Sequence, residues 1–377
     1  MRLPLLLAVL MSASSVRADD AGWVLLFNGK DLSNWVNVNC APGTWTVGNG
    51  VIKCTGKPTG ALRTPRQYEN FILELDWRHL RPAGNSGVFV WGSAIAAPGV
   101  PFLRAIEVQV LDNAFNIPGK NRWYTTHGDV FPIHGATMKP IHKGDGMRCF
   151  PSEERSKSSP EWNHYRIVGQ NGTIRLSVNG KEVSGGDDVV WRKGYLALES
   201  EGSPVEFRNL RLKELPSSGA TPEQSAPKDE GWRPLYTGVD LHGWKADGEL
   251  QNQWTPDDWR LRCVAAAGIL WTQAEWGNVE LIVDVRASKN SSGKTPAASL
   301  ALPFNHGTFR QAFFVRPGSW TRNHVTIRGN ELTMQNSDRE PQVVEVRAKF
   351  LASHSIGLVG NSAVPVEFGN IYIRSLK

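Results

Sequence analysis

Two segments that bracket one stretch of this chain return, in the same order, around the next. Gly22-Trp23-Val24-Leu25-Leu26-Phe27-Asn28-Gly29-Lys30-Asp31-Leu32-Ser33-Asn34-Trp35 comes back as Gly231-Trp232-Arg233-Pro234-Leu235-Tyr236-Thr237-Gly238-Val239-Asp240-Leu241-His242-Gly243-Trp244. Pro204-Val205-Glu206-Phe207-Arg208-Asn209-Leu210 comes back as Pro365-Val366-Glu367-Phe368-Gly369-Asn370-Ile371. The period is far too long for a solenoid, so one domain is used twice. Within each copy the apolar residues alternate in short runs, as in 71–75, 106–111, 174–178 and 195–198, with Asn179-Gly180 as a hairpin turn. No long helical period occurs. The expected fold is all-β: two tandem β-sandwiches of jelly-roll type.

The boundaries follow from composition. Residues 216–229 begin Pro-Ser-Ser-Gly-Ala-Thr-Pro and lack apolar periodicity, so they read as a linker between domains at 19–215 and 230–377. Residues 1–18 have the pattern of a signal peptide, with Arg2, the apolar run 3–11 and Val16-Arg17-Ala18, which predicts an exported, periplasmic or secreted protein. No later run is long enough to span a bilayer. Loss of 1–18 removes Arg2 and Arg17 and no acid, taking the net charge from +6 to +4. An excess so mild and scattered argues against nucleic acid as a partner. Four cysteines in an exported chain allow disulfides, with Cys40 and Cys54 as the foremost pair.

The two copies are unequal, and their difference points to a site. The stretch from Arg78 to Trp162 is more than twice as long as that from Arg286 to Trp320. The extra chain holds Asn85-Ser86-Gly87-Val88-Phe89-Val90-Trp91, the alternating run Ala105 to Leu111, and the pairs His127-Gly128 and His134-Gly135. In that run Ile106, Val108 and Val110 take one face, and Glu107 and Gln109 the other, toward solvent or a polar cleft. Glu206 and Trp35 return in the stripped copy as Glu367 and Trp244, which assigns them to the scaffold. His79 and His354 have no such context and are expected at the surface.

These segments, with Glu161-Trp162-Asn163-His164-Tyr165-Arg166 and Gly202-Ser203-Pro204-Val205-Glu206-Phe207-Arg208-Asn209, resemble the bacterial 3-keto-disaccharide hydrolase family. The resemblance runs from 22 to 215 and touches the second copy mainly at its ends. It implies a concanavalin A-like sandwich and cleavage of glycosides oxidised at C3 of the sugar. The family often has Arg where this chain has Trp91 and His where it has Glu201.

A 3-keto group acidifies the proton at C2, so a base can remove it, the C1 substituent leaves by elimination, and water adds back. Glu107, His127 and His134 are the catalytic candidates. Asn85, Gln109, Asp112, Glu199 and Glu201 are candidates for holding sugar hydroxyls, and Trp91 and Trp123 for stacking on the ring. Glu107, Asp112, His127 and His134 would also suit a divalent ion. A carbohydrate-binding protein without turnover, and a glycosidase with paired carboxylates such as Glu107 with Glu199 or Glu201, are the alternatives. The first domain is expected to carry the activity without the second.

Overall fold

A computed structural model describes residues 21–376 apart from 116–122, 247–252, 264–267, 290–296, 305–306, 337–339, 345–349 and 361–363. The expected leader lies outside the described residues. Every strand described from Trp23 to Glu214 belongs to one of two antiparallel sheets, of nine and eight strands. Every strand from Arg233 to Ser375 belongs to one of two more, of eight and five. The chain is therefore all-β with two sandwiches in tandem. No helix among the described residues is long and apolar enough to cross a membrane.

Alternation builds each core. In the Phe71–His79 strand, Phe71, Leu73, Leu75 and Trp77 face inward. They meet Ile106, Val108 and Val110 of the Ala105–Leu111 strand and Leu196 and Leu198 of the Tyr195–Ser200 strand. Each such side chain, fully buried, contributes about 1.5–3 kcal/mol relative to exposure. The scaffold assignment of Glu206 has a direct counterpart in both copies. Arg78 pairs with Glu206 and lies over Trp162, and Arg286 pairs with Glu367 and lies over Trp320.

Three expectations need correction. Cys40 and Cys54 are both buried free thiols; Cys40 Sγ lies 3.7 Å from the Pro58 carbonyl. His79 and His354 are buried, and His79 Nε2 sits 3.0 Å from the Val110 carbonyl. The Ala105–Leu111 strand is buried on both faces, not on one. The alternation is real, but something covers the outer face.

At one end of that face the cover is the second sandwich. Val38, Ala61, Phe89, Leu103, Ala105 and Ala197 pack with Ile282 and Tyr372 into a separate apolar cluster. Polar groups tie its margin. Asp284, fully buried, pairs with Arg322 and accepts from the Gly99 amide at 2.8 Å and Asn370 Nδ2 at 2.7 Å. The Thr59 amide and hydroxyl both donate to Asp258, at 2.6 Å. The 216–229 segment is fastened too: Glu69 accepts from Ser217, Ser218 and Ala220, and Asp229 pairs with buried Arg63.

The two copies differ at this interface. In the first copy Arg211 lies opposite Glu74 on the outer face of the nine-stranded sheet, and the two form an ion pair. The corresponding cross-strand pair in the second copy is Tyr372 opposite Ile282, both buried against the first sandwich. Charge has given way to apolar surface where the copies meet. Cutting the chain at residue 215 would bare Phe89, Leu103 and Ala105. The isolated first domain is therefore expected to unfold at a lower temperature than the whole chain and to aggregate, as differential scanning fluorimetry and light scattering would show. A fragment as stable and monomeric as the full protein would contradict this reading.

Candidate active site

The other end of the same outer face is polar. It is built from three neighbouring strands: Ala105–Leu111, Asn85–Gly92 and Tyr195–Ser200. Glu107 stands opposite Phe89, Gln109 opposite Gly87, and Glu199 one step beyond the Leu198–Val88 pair. Gly87 is what lets the acids converge. A Cβ added there would lie 2.9 Å from both Glu107 Oε1 and Glu199 Oε2. Glycine inside a strand commonly marks such a close approach.

A continuous network joins these groups. The Arg148 guanidinium donates to Asp129 Oδ2 at 2.6 Å and to Gln109 Oε1 at 2.7 Å. Gln109 Nε2 faces Asn85 Oδ1 at 3.0 Å, the Ser86 carbonyl at 3.1 Å and Glu107 Oε1 at 3.4 Å. Asn85 donates in turn to Glu201. Arg148 is held over the Phe131 ring at 3.6 Å, with the exposed Trp123 indole 5.2 Å away. Asp129 is fully buried and also bonded by the Thr125 amide, at 2.8 Å, and hydroxyl.

Glu107, Glu199 and Glu201 thus crowd one another, with the Arg148 guanidinium, held by Asp129 and Gln109, acting on Glu107. Burial disfavours the charged forms, and like charges nearby add to the effect. Burial first, then the Glu201 charge, pushes Glu107 up to about 8 against the pull of Arg148. Glu199 is raised well above the carboxylate range by burial and then by Glu107 and Glu201, and its Oε2 has no protein partner. Burial pushes Glu201 to about 7, with hydrogen bonds from Glu199 and Asn85 opposing. Glu107 and Glu201 are therefore protonated or half-protonated acids at neutral pH.

Glu107, Gln109, Asn85, Glu199 and Glu201 are therefore brought together, with Trp123 at the edge. Other candidates fall elsewhere. Trp91 is core: it is 1% exposed, its Nε1 donates to the Glu69 carbonyl at 2.9 Å, and its ring meets Phe71 edge-on. Asp112 is buried and accepts from the amides of Ala83, Ala114 and Ser159, at 2.9, 3.0 and 2.7 Å. The chain does turn after Leu111, but it turns the Asp112 carboxylate onto backbone. His127 Nδ1 lies 2.9 Å from Ser156 Oγ, and Glu154 is 3.5 Å from its other nitrogen. His134 lies past the end of the Val130–Ile133 strand, stacked on Phe102, in a cleft between the sandwiches. Glu107, Asp112, His127 and His134 do not converge as a metal set, and no cluster of three or more such donors suited to a metal occurs among the described residues.

Arg148 and Asp129 went unnoticed in sequence. Arg148 lies in a two-residue strand, Arg148–Cys149, with no period to read. Gly87 carries a usable signal, a glycine inside a strand.

Fold and site together define a β-sandwich protein with a buried carboxyl cluster on one sheet face. Residues 22–213 match the model of the 3-keto-alpha-glucoside-1,2-lyase-like domain, and the chain belongs to that family. A 3-keto-disaccharide hydrolase of Bacteroides thetaiotaomicron is 23% identical over 260 residues, covering 54% of this chain and 82% of that one. A Parabacteroides distasonis crystal structure, provisionally named a glycosyl hydrolase, is 23% identical with a TM-score of 0.42, covering 52% of this chain and 96% of its own. The Bacillus subtilis carbohydrate-binding module CBM66 gives 11% identity and a TM-score of 0.35, over 48% of this chain and 96% of the module.

Two outcomes follow from the cluster. Its acids hold protons in the folded chain at pH values where they have lost them in the unfolded one, whose ordinary value is 4.5. The cluster's contribution to stability is therefore greatest below that value and falls as pH rises toward 8, by about 1.4 kcal/mol per pH unit for each proton retained. Melting temperatures from pH 5 to 8 should decline, and Glu107→Gln should flatten the decline; an unchanged slope would remove Glu107 from the titrating group. Gly87→Ala should force the two carboxyls apart at a cost of about 1–3 kcal/mol, the usual price of overpacking, measurable by urea unfolding.

Proposed function

We propose that the first sandwich cleaves glycosides oxidised at C3 by removing the C2 proton, expelling the C1 substituent and adding water. The observation that supports this reading best is the buried carboxyl cluster poised near neutrality beside one guanidinium. Proton abstraction next to a ketone needs a base that is partly ionised at working pH, an electrophile for the enolate oxygen and an acid for the leaving group.

Glu201 suits the base. It stands where the family resemblance leads one to expect His, and its surroundings lift its titration to about 7, close to that of imidazole. Asn85, bonded to it, fixes its direction. The Arg148 guanidinium, steadied by Asp129 and Gln109, suits the developing enolate oxygen. Glu107, protonated up to about 8, suits the acid that gives its proton to the departing oxygen. Trp123 offers an exposed indole face to the sugar ring. In this arrangement His127 and His134 carry no proton of the reaction. Export, inferred from 1–18, would place the enzyme where glycosides from outside the cell arrive.

Purified protein should consume a 3-keto-glucoside and leave the unoxidised glucoside untouched. Its rate should rise through about pH 7 and fall through about pH 8, limits that belong to the coupled cluster rather than to single residues. Glu201→Gln and Glu107→Gln should each lower turnover roughly 10²-fold or more, within what general acid–base catalysis supplies. Turnover of the plain glucoside alone would favour paired-carboxylate hydrolysis. Sugar binding with no turnover of either would reduce the protein to a lectin.

A further inference from the structure

Between the sandwiches lies a second cleft, of about 430 Å³, separate from the carboxyl cluster. Its walls come from both copies and from the segment joining them: Arg104, His134 and Trp191 from the first, Trp232 just past the junction, and Glu280 and Arg374 from the second. The volume is ordinary for a small-ligand site. Both indoles are half-buried, each with a guanidinium over it: Arg104 at 3.7 Å from the Trp191 ring centre and Arg374 at 4.8 Å from that of Trp232.

The two arginines differ in one respect. Arg374 pairs with Glu280 and Glu230. Arg322, the other guanidinium at the cleft, pairs with Asp284 and donates to the Ala96 carbonyl at 2.9 Å. Arg104 has no acid partner among the described residues, and its Nε is buried with no hydrogen-bond acceptor. Burial also pulls its pKa down, although a guanidinium stays charged. That nitrogen is sealed from solvent, so a ligand in the cleft would meet the terminal nitrogens of a guanidinium that has no counter-charge.

We infer that this cleft binds a saccharide bearing a carboxylate, with Arg104 as the group that receives the acid and the Trp191 and Trp232 indoles as walls for the sugar. The planar fork of a guanidinium matches a carboxylate through two parallel hydrogen bonds. A cavity of this size exceeds a bare inorganic anion, and amphipathic indoles suit a ring with one apolar face. The saccharide part of the inference rests on the carbohydrate reading above; the acid part rests on Arg104 alone. The cleft requires both sandwiches, so it belongs to the tandem chain and not to the family domain by itself.

The test titrates the full-length protein with trigalacturonate, galactotriose and sulfate, following tryptophan fluorescence. Trigalacturonate should bind at least tenfold more tightly than the other two. Arg104→Met keeps the stem over Trp191 and removes the charge. It should weaken trigalacturonate tenfold or more, within the range of a charge-assisted hydrogen bond, and leave the weak galactotriose binding unchanged. Arg104→Lys should fall between the two, and calorimetry should show both variants folded. Turnover of the 3-keto-glucoside should be unaffected in both. Equal affinity for the charged and neutral trisaccharides, no binding of either, or no loss in Arg104→Met would each overturn the inference. Sulfate as tight as trigalacturonate would overturn it too, leaving an anion site without a sugar. Absence of turnover in the unsubstituted protein, with these affinities as expected, would instead count against the proposed reaction and leave this site standing.

Discussion

Three glutamates packed against one another, with little access to water and with one guanidinium at their edge held by Asp129 and Gln109, set the terms for the rest of this molecule. Outside a fold, Glu107, Glu199 and Glu201 would each be ionised at neutral pH. Here burial makes full ionisation unaffordable, and the single Arg148 is already committed to Asp129 and Gln109. Protons must stay. A group of acids sharing too few charges is the simplest way for a scaffold without a histidine in the cluster to hold proton donors and acceptors near pH 7. Gly87 makes the crowding possible, because any side chain there would take up the space where Glu107 and Glu199 meet.

The second sandwich repeats the scaffold and changes its surface. The Arg–Glu–Trp arrangement at the end of each larger sheet is kept in both copies, which marks it as a device for holding strands together. Glu74 with Arg211 and Ile282 with Tyr372 occupy the same cross-strand position, yet the first pair faces solvent and the second faces protein. Two substitutions of this kind convert an ion-paired outer face into one that must be covered. Asp284 shows the polar side of the same change: it occupies the position of Asp76, which pairs with His164 and Arg208 on the open face, but is itself enclosed with Arg322, Asn370 and the Gly99 amide.

Sequence carried the fold because alternation and turns are local properties, and the tandem organisation because both ends of the domain recur. Much of the site was legible for a related reason: strand parity puts Glu107 and Gln109 on one face, and the resemblance set Asn85 and Glu201 beside them. What parity cannot tell is what lies above a face. The resemblance turned Trp91 toward the ligand, because the family often has Arg there, yet it lies among the apolar side chains between the sheets. His127 and His134 looked catalytic because His-Gly pairs in loops are often functional, but loop histidines are placed by contacts distant in sequence, with Ser156 for one and Phe102 for the other. Arg148 was invisible because a lone cation in a two-residue strand has no pattern. Cys54 ends a strand while Cys40 lies in the loop after the Val36–Val38 strand, and closeness in sequence does not fix the approach of two thiols.

The two ends of the outer face adjoin each other. Glu107 and Phe89 are direct cross-strand partners. Phe89 has no exposed surface, and it belongs to the cluster that Ile282 and Tyr372 complete from the second sandwich. A carboxyl beside a ring that is itself sealed from water is more desolvated than one beside a ring at the surface, and desolvation is the largest cause of the upward shift of Glu107. The apolar contact between the sandwiches therefore begins one cross-strand neighbour away from the carboxyl cluster.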